Sequence, residues 1–522
     1  MPSLEHIQGK QAHKDRKGYT HNPRQPEHEP PYGLVHTFHL RAWKNVNAGM
    51  IRGPISALVK ARGGAKPDRR QYSTMAMRAR QVGLGMRGCF WLAVIGVPVC
   101  AGFALWAQGG AHEPDRSRAV RDVPLSSHLP DKPSLPPAFS IPVEPLGFSS
   151  PGPIYMGQRN RLVSLDFLDE DHLLFSFRVP ALLHRDPSGA YTYERQMRAV
   201  ALALPSGSVE AEALWTLHDR SRYLWMLKDG HFLLRDRNNL ELGDAKLDVK
   251  PFLQFPGPLL WLEMDPTGQF LVTDSREPVA AAPKPGQVTS PATASATMSV
   301  DGADGGTPDL VVRILHRDTG KVMLVSRVRT VIHLPINADG YVENLRGRGT
   351  KWVLNLNFFS GGNRILGSVE SACMPPNDFV APQIVLVSAC NPDGGRKLVA
   401  LDTGGHLLWE HSVAPEAIWP VVTRAPDGSR VARETLIVNH AVSAYQPFSS
   451  DDIKGQLVRI FNVADGNVAL ETRASPVLDD GGNVAISPSG RRVAVLNDGA
   501  IQVFELPPPP PLPSVADDPA AR

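Results

Sequence analysis

The chain has 522 residues, 55 Lys and Arg against 52 Asp and Glu, and a formal charge of +3. That length exceeds one ordinary domain and allows a single large all-β domain with tails. The charge is lopsided: residues 1–88 hold 16 Lys and Arg against 5 Asp and Glu. Because this basic front ends at an uncharged apolar run, it reads as the flank of a membrane segment in preference to a nucleic-acid arm, and no nucleic-acid partner is expected.

Residues 1–74 scatter His, Pro, Gly, Lys and Arg without a sustained apolar period, as in a disordered basic region or a mis-called start. Residues 75–111 contain the run Cys89 to Ala107, CFWLAVIGVPVCAGFALWA, close to the ~20 apolar residues that span a bilayer as a helix. Arg78, Arg80 and Arg87 precede it and His112, Glu113 and Asp115 follow it. The positive-inside rule then places the N-terminus in the cytoplasm and the C-terminal domain in the periplasm, with residues 89–107 as a single inner-membrane pass. The same segment reads as a cleaved signal peptide if synthesis begins at Met75, Met77 or Met86, and both readings give the same destination.

Residues 112–154 repeat Pro and Ser, as in PDKPSLPP, the composition of an extended linker. Residues 155–506 hold the folded domain, interrupted by 279–308, which lack bulky apolar groups and read as a disordered insertion. Residues 507–522 are a Pro-rich tail. Cys373 and Cys390 lie in the exported part, where an oxidising compartment would pair them, the alternative being two free thiols. No C-x-x-C exists, so zinc has no support and no metal site is expected.

Within 155–506, short β-type runs such as LVSLDF, HLLFSF, LVVRILH, IVLVS and LVRIF are separated by turn residues, and helical periodicity is absent. Two kinds of Gly turn recur. One is seen at Gly207, Gly320, Gly404 and Gly466, the other, usually with Pro two residues earlier, at Gly230, Gly268, Gly428 and Gly490. Gly404 to Gly428 and Gly466 to Gly490 are both 24 residues, Gly207 to Gly230 is 23, and the full step from Gly404 to Gly466 is 62. A fixed alternation of two hairpins at such a period predicts a β-propeller of four-stranded blades, and the length of the domain divided by about 50 residues per blade gives seven.

The phrase from Ala400 through Trp409 to Glu410, ALDTGGHLLWE, resembles a quinoprotein-type propeller repeat, and Ile486 to Glu505 resembles a WD40-like blade. The whole is similar to membrane-anchored bacterial propeller proteins, a resemblance that implies fold and not activity. A single Trp repeat, one residue shorter than the usual docking repeat, does not support a quinone, so no cofactor is expected and Trp409 is assigned to packing between blades. The last blade stops after three strands at Leu506, and a segment before Arg161 is expected to supply the fourth.

With strands lettered A to D, Gly207 in a C–D turn and Gly230 in an A–B turn put residues 216–222 and 235–240 on one face. His218, Asp219, Arg220, Arg222, Arg235, Asp236, Arg237, Asn238 and Asn239 then converge, with Arg237 expected opposite Arg222 and Asn239 opposite Arg220. Clustered guanidiniums, carboxylates and amides suit carboxylate, phosphate or sugar hydroxyl groups, and equally suit salt bridges that fix the rim. On later blades, Glu416, Trp419, Asn439, His440, Tyr445, Asn497 and Asp498 occupy corresponding connections and read as solvated loop residues, as do Asp451, Asp452, Asp479 and Asp480. The signatures G-x-S-x-G, H-E-x-x-H and G-x-x-x-x-G-K-[ST] do not occur. The expectation is a monomeric binding or interaction platform for a protein or glycan without identified catalytic residues; the alternative is a propeller hydrolase or lyase acting on a carbohydrate or anionic metabolite at the rim cluster.

Overall fold

The computed structural model describes residues 122–151, 162–180, 184–185, 193–218, 221–228, 230–277, 297–299, 310–440 and 450–513. The apolar run 89–107, the basic region before it, most of the 279–308 insertion and the tail after 513 lie outside the described residues. Among the described residues no helix is long and apolar enough to cross a membrane.

Seven antiparallel sheets follow one another along the chain as the blades of a propeller. Blade 1 is Val163–Phe167, His172–Arg178, Tyr193–Ala203 and Ser208–Leu217; blade 2 is Leu224–Met226, Phe232–Asp236, Asn239–Gly243 and Val249–Gln254; blade 3 is Leu259–Met264, Phe270–Arg276, Leu310–His316 and Val322–Val328. Thr297–Ser299, inside the 279–308 insertion, adds a parallel edge to Val322–Val328. Blade 5 is Asn377–Ala381, Ile384–Cys390, Arg396–Asp402 and Leu407–Val413; blade 6 is Ala417–Arg424, Arg430–Val438, Ile453–Asn462 and Val468–Ala474. The first strand of each is innermost, so that Val163–Phe167 touches both Leu224–Met226 and Val484–Ile486.

Blade 4 departs from this pattern. Its regular strands are Gly340–Arg346, Lys351–Phe358 and Asn363–Glu370. The inner place is taken by the irregular stretch 331–336, tied on by the Ile336–Tyr341 bridge and by the Val342 N–H donating to Pro335 O at 2.9 Å. Pro335 has no N–H to give a ladder, which is why a regular strand does not form there.

Blade 7 is Val484–Ile486, Arg492–Asn497 and Ala500–Glu505, with Phe139–Pro142 as its outer strand. Ile141 lies opposite Ile501, and the ring is therefore closed by a strand that precedes every other strand of the propeller in sequence. Seven separate apolar cores, one at each interface between consecutive blades, hold the ring. Alternate residues of a strand face the two neighbouring blades, so both faces are buried and the strands read as nearly continuous apolar runs.

The hairpin geometry follows the Gly turns. Seven of the predicted turn glycines have φ between 63° and 74°; in the turn after Asp402 the left-handed residue is Gly405 (φ 94°) and not Gly404. At Gly466 the absence of a side chain has a second use, because a Cβ there would lie 2.6 Å from the Trp409 ring. Trp409 passes over this turn from blade 5, stacks on Phe461 with centroids 6.2 Å apart, and donates Nε1–H to Val463 O at 2.8 Å.

Part of the Pro-rich stretch 112–154 is fastened to the outside of the ring. Leu125 N–H donates to Ser412 O (2.8 Å) and Ser134 N–H to Glu471 O (2.8 Å). Asp122 accepts from the Ser412 hydroxyl at 2.6 Å, and the Leu129 side chain rests on Gly455. Residues 122–135 thus run as a strap over the outer edges of blades 5 and 6 before entering blade 7 as its fourth strand.

Cys373 and Cys390 are joined by a disulfide across the connection from blade 4 to blade 5. Closing a loop of 17 residues constrains the unfolded chain by about 3 kcal/mol in the chain-entropy account. The double variant Cys373→Ser, Cys390→Ser is expected to unfold at a lower denaturant concentration by about that free energy, and a midpoint unchanged on reduction of the wild type would contradict it.

Candidate functional site at the central channel

The described members of the rim cluster bond to one another, to neighbouring side chains and to nearby backbone. Leu224 faces Leu234 and Arg235 N–H donates to Tyr223 O at 2.8 Å, so Asp236, not Arg237, lies across from Arg222, one residue away from the pairing expected from sequence. The Asp236 carboxylate accepts from the His218 backbone N–H at 2.7 Å and faces His218 Nδ1 at 3.0 Å, while Glu194 lies 3.7 Å from His218 Nε2. Arg235 is buried, gives Nη2 to Ser221 Oγ at 2.5 Å, and shares the Trp225 ring with Arg222. Arg222 Nε donates to Leu224 O at 3.0 Å.

Arg237 takes a left-handed conformation (φ 54°), and its carbonyl accepts from Leu259 N–H. Asn238 Nδ2 donates to Phe255 O, and Asn239 pairs with Asp236 in the strand register. Asp219 and Arg220 lie outside the described residues. The contacts of the described members fasten blades 1, 2 and 3 to one another.

A different constellation occupies the centre, where the inner strands of the blades line the channel. His333, in the irregular inner stretch of blade 4, points Nδ1 at Glu263 Oε1 of blade 3 (2.6 Å) and Nε2 at Asp378 Oδ1 of blade 5 (3.2 Å). Nε2 is also 2.8 Å from Asn377 O. Trp261, 38% exposed, stands edge-on to the His333 ring at 6.3 Å. From blade 6, Arg424 reaches across the channel: Nη1 donates to Phe379 O of blade 5 (3.1 Å) and Nη2 to Asp265 O (2.9 Å) and Met264 O of blade 3.

Glu263, His333 and Asp378 offer ligand atoms within 4.8 Å of one another. The two carboxylates, however, approach opposite nitrogens of one imidazole. Both nitrogens are donors only in the imidazolium form, and a metal ion can take only one of them. The arrangement is that of a charged imidazole clamped between two acids. Burial works against the charge, but the attraction and hydrogen bonds of Glu263 and Asp378 prevail and hold the His333 pKa well above its ordinary value. The side chains remain partly open to solvent, at 33% for His333, 19% for Glu263 and 42% for Asp378.

Behind them Asp274 is completely buried. Its Oδ2 accepts from Ile332 N–H at 2.7 Å, whereas Oδ1 has no hydrogen-bond partner. Burial pushes its carboxyl up to about 7, the Ile332 N–H pulls the other way, Glu263 adds to the rise and His333 opposes it. In the unfolded chain an Asp titrates near 4. Protons are therefore bound in the folded state and absent in the unfolded state between about pH 4 and about 7, and stability falls as pH rises through that window. His333 acts with the same sign above its unfolded pKa. Asp274→Asn is expected to flatten the decline between pH 5 and 7, by an amount on the order of a few kcal/mol for a shift of this size. Thermal unfolding of the variant and the wild type at a series of pH values measures it, and parallel curves would count against it.

Neither the triad nor Arg424 was found from sequence, and for Arg424 a signal existed. The position four residues before the turn glycine is Met226, Met264, Arg424 and Ile486 in the inner hairpins of blades 2, 3, 6 and 7; a lone guanidinium among apolar equivalents marks a special role. His333 had no such frame, because its stretch fits the repeat poorly.

The sequence matches no protein-family model and no curated protein. Among solved structures the chain is similar to the acylaminoacyl peptidase of Pyrococcus horikoshii, with 12% identity and a TM-score of 0.37 over 67% of this chain and 52% of that one. It thus spans about half the length of that peptidase. It is similar also to the β-propeller domain of the Trilobed protease from Pyrococcus furiosus (11% identity, TM-score 0.35, 64% of this chain and 91% of that one). A third likeness is to Sqt1 from Chaetomium thermophilum (11% identity, TM-score 0.34, 67% and 97%). Such distant likenesses concern the fold alone.

Proposed function

We propose that this chain is an exported, membrane-anchored seven-bladed propeller that serves as a binding platform, with a protein or glycan docking over the channel. The carrying observation is the triad itself: the His333 imidazole, clamped between Glu263 and Asp378, lies beside the partly exposed Trp261 ring. Fixed polar groups next to an exposed aromatic ring suit recognition by hydrogen bonding and stacking. The acids are already paired with His333, which favours reading a ligand over activating a nucleophile. The uncharged run 89–107 after a basic flank supports display outside the inner membrane.

Purified full-length protein offered a glycan array and a detergent extract of cell envelopes is expected to retain a ligand. Trp261→Ala and Asp378→Asn, with unchanged circular dichroism, are expected to lose most of that retention. Retention identical in both variants sinks the channel reading, and release of a cleaved product from a glycan would favour the hydrolase or lyase instead.

A further inference from the structure

The interface between blades 5 and 6 carries more positive charge than its own acids balance. Arg433 and Arg459 lie directly opposite one another in the blade 6 ladder, and both are 3% exposed. They alternate in phase with Val431, Leu457 and Phe461, whose side chains pack against Leu386, Leu398 and Ala400 of blade 5. Arg396 is in phase with Leu398 and Ala400, as Ser388 is with Leu386, so these two face the same space from the other side.

The hydrogen bonding there is incomplete. Arg433 Nη1 donates to Thr435 Oγ1 at 3.2 Å, but its Nη2 is buried without a partner, and so is the Ser388 hydroxyl. Arg459 uses Nε on Glu471 (2.6 Å) and Nη2 on the carbonyl of Ser126 in the strap. Arg396 lies 3.7 Å from the Cys390 sulfur. Among the described residues the only carboxylate hydrogen-bonded to any of the three guanidiniums is that of Glu471. Glu410 is turned to the opposite face of blade 5, where it meets Lys397 at 2.8 Å, and Glu434 faces away with Gln456 at 3.0 Å. Burial, followed by repulsion from Arg396 and Arg459, lowers the Arg433 pKa to about 9, so the side chain is still charged at neutral pH. A buried charge with a buried unmade hydrogen bond is strongly destabilising unless something pairs with it.

We propose that the space between blades 5 and 6 is a binding site for a small tetrahedral oxyanion, phosphate or sulfate, held by Arg433, Arg459 and Arg396 with the Ser388 hydroxyl. Guanidiniums arriving from two blades supply donors in several planes, which matches the four oxygens of a tetrahedral anion better than the flat edge of a carboxylate. Arg396 is only partly buried and forms the side of the site open to solvent. The anion acts as an internal counter-charge that ties the two blades together.

The test uses the full-length protein and follows thermal unfolding as phosphate, sulfate or nitrate is added at constant ionic strength. Phosphate or sulfate is expected to raise the midpoint saturably and nitrate is not. At a hundredfold excess over the dissociation constant, the folded-to-unfolded ratio should rise by about a hundredfold. Arg433→Met, which replaces a buried charge with an apolar chain of similar length, is expected to fold and to lose the response. Arg396→Gln, at the solvent-facing side, is expected to require about tenfold more anion for the same shift, equal to about 1.4 kcal/mol. If Arg433→Met does not fold, Arg396→Gln decides alone. A wild-type midpoint indifferent to both tetrahedral anions overturns the proposal, as does a response that survives unchanged in Arg396→Gln.

Discussion

Ile141→Asp is expected to open the ring and unfold most of the protein at room temperature. Ile141 is 4% exposed in the core between blades 7 and 1, and a Cβ on Gly207 would lie 2.7 Å from its side chain. Removing the side chain alone costs about 2–5 kcal/mol. Leaving an unpaired carboxylate in that apolar core, opposite Ile501, adds several more. The sum approaches the whole stability of a typical domain, about 5–15 kcal/mol. The neighbouring Ser140, on the exposed face of the same strand, provides the control: Ser140→Asp should change stability by no more than about 0.5 kcal/mol. Urea unfolding and limited proteolysis distinguish the two variants, and equal midpoints would show that the outer strand does not hold the ring.

Trp409→Ala carries the second large effect, about 3–5 kcal/mol. The ring packs at the outer end of the interface between blades 5 and 6, against Phe461, His411 and the bare Gly466 turn, and its loss leaves the buried Val463 carbonyl without its donor. A companion change, Gly466→Ala, attacks the contact from the other side, combining a left-handed φ of 71° with a Cβ that the indole does not admit. Both variants should lower the urea midpoint; a loss below about 1 kcal/mol in Trp409→Ala would mean that the blades collapse around the gap.

The ring was legible in the sequence because its signal is local and repeated. A hairpin writes its glycine into the chain, and two hairpins at a constant spacing define a blade without any knowledge of what packs on it. The same spacing puts residues 216–222 and 235–240 on one face, but the register at the hairpin differs by one residue from the expected pairing, because a turn alone does not set which residues pair. The strap has the composition of an extended linker for a related reason: Pro-rich chain with few backbone hydrogen bonds looks the same whether it is solvated or lies along an edge strand.

The channel triad was illegible for the opposite reason. Glu263, His333 and Asp378 come from three blades, and no periodicity links an acid to a histidine 70 residues away. The irregular inner stretch of blade 4 breaks the frame that would have aligned them. What makes His333 special is the pair of carboxylates flanking it, a property of tertiary packing alone. The excess of arginine between blades 5 and 6 was hidden likewise, since alternation assigns a residue to a face but leaves open which opposing charges meet there.

The outermost strand of blade 7 has a consequence for synthesis. Phe139–Pro142 leaves the ribosome ahead of every other strand of the ring, yet its partner Ala500–Glu505 is among the last to appear. The ring can close only in a pairing that spans nearly the whole domain, the slowest kind of contact to form. Any factor that shields residues 139–142 until the last blade emerges would govern the yield of folded protein more than one acting on the blades in between.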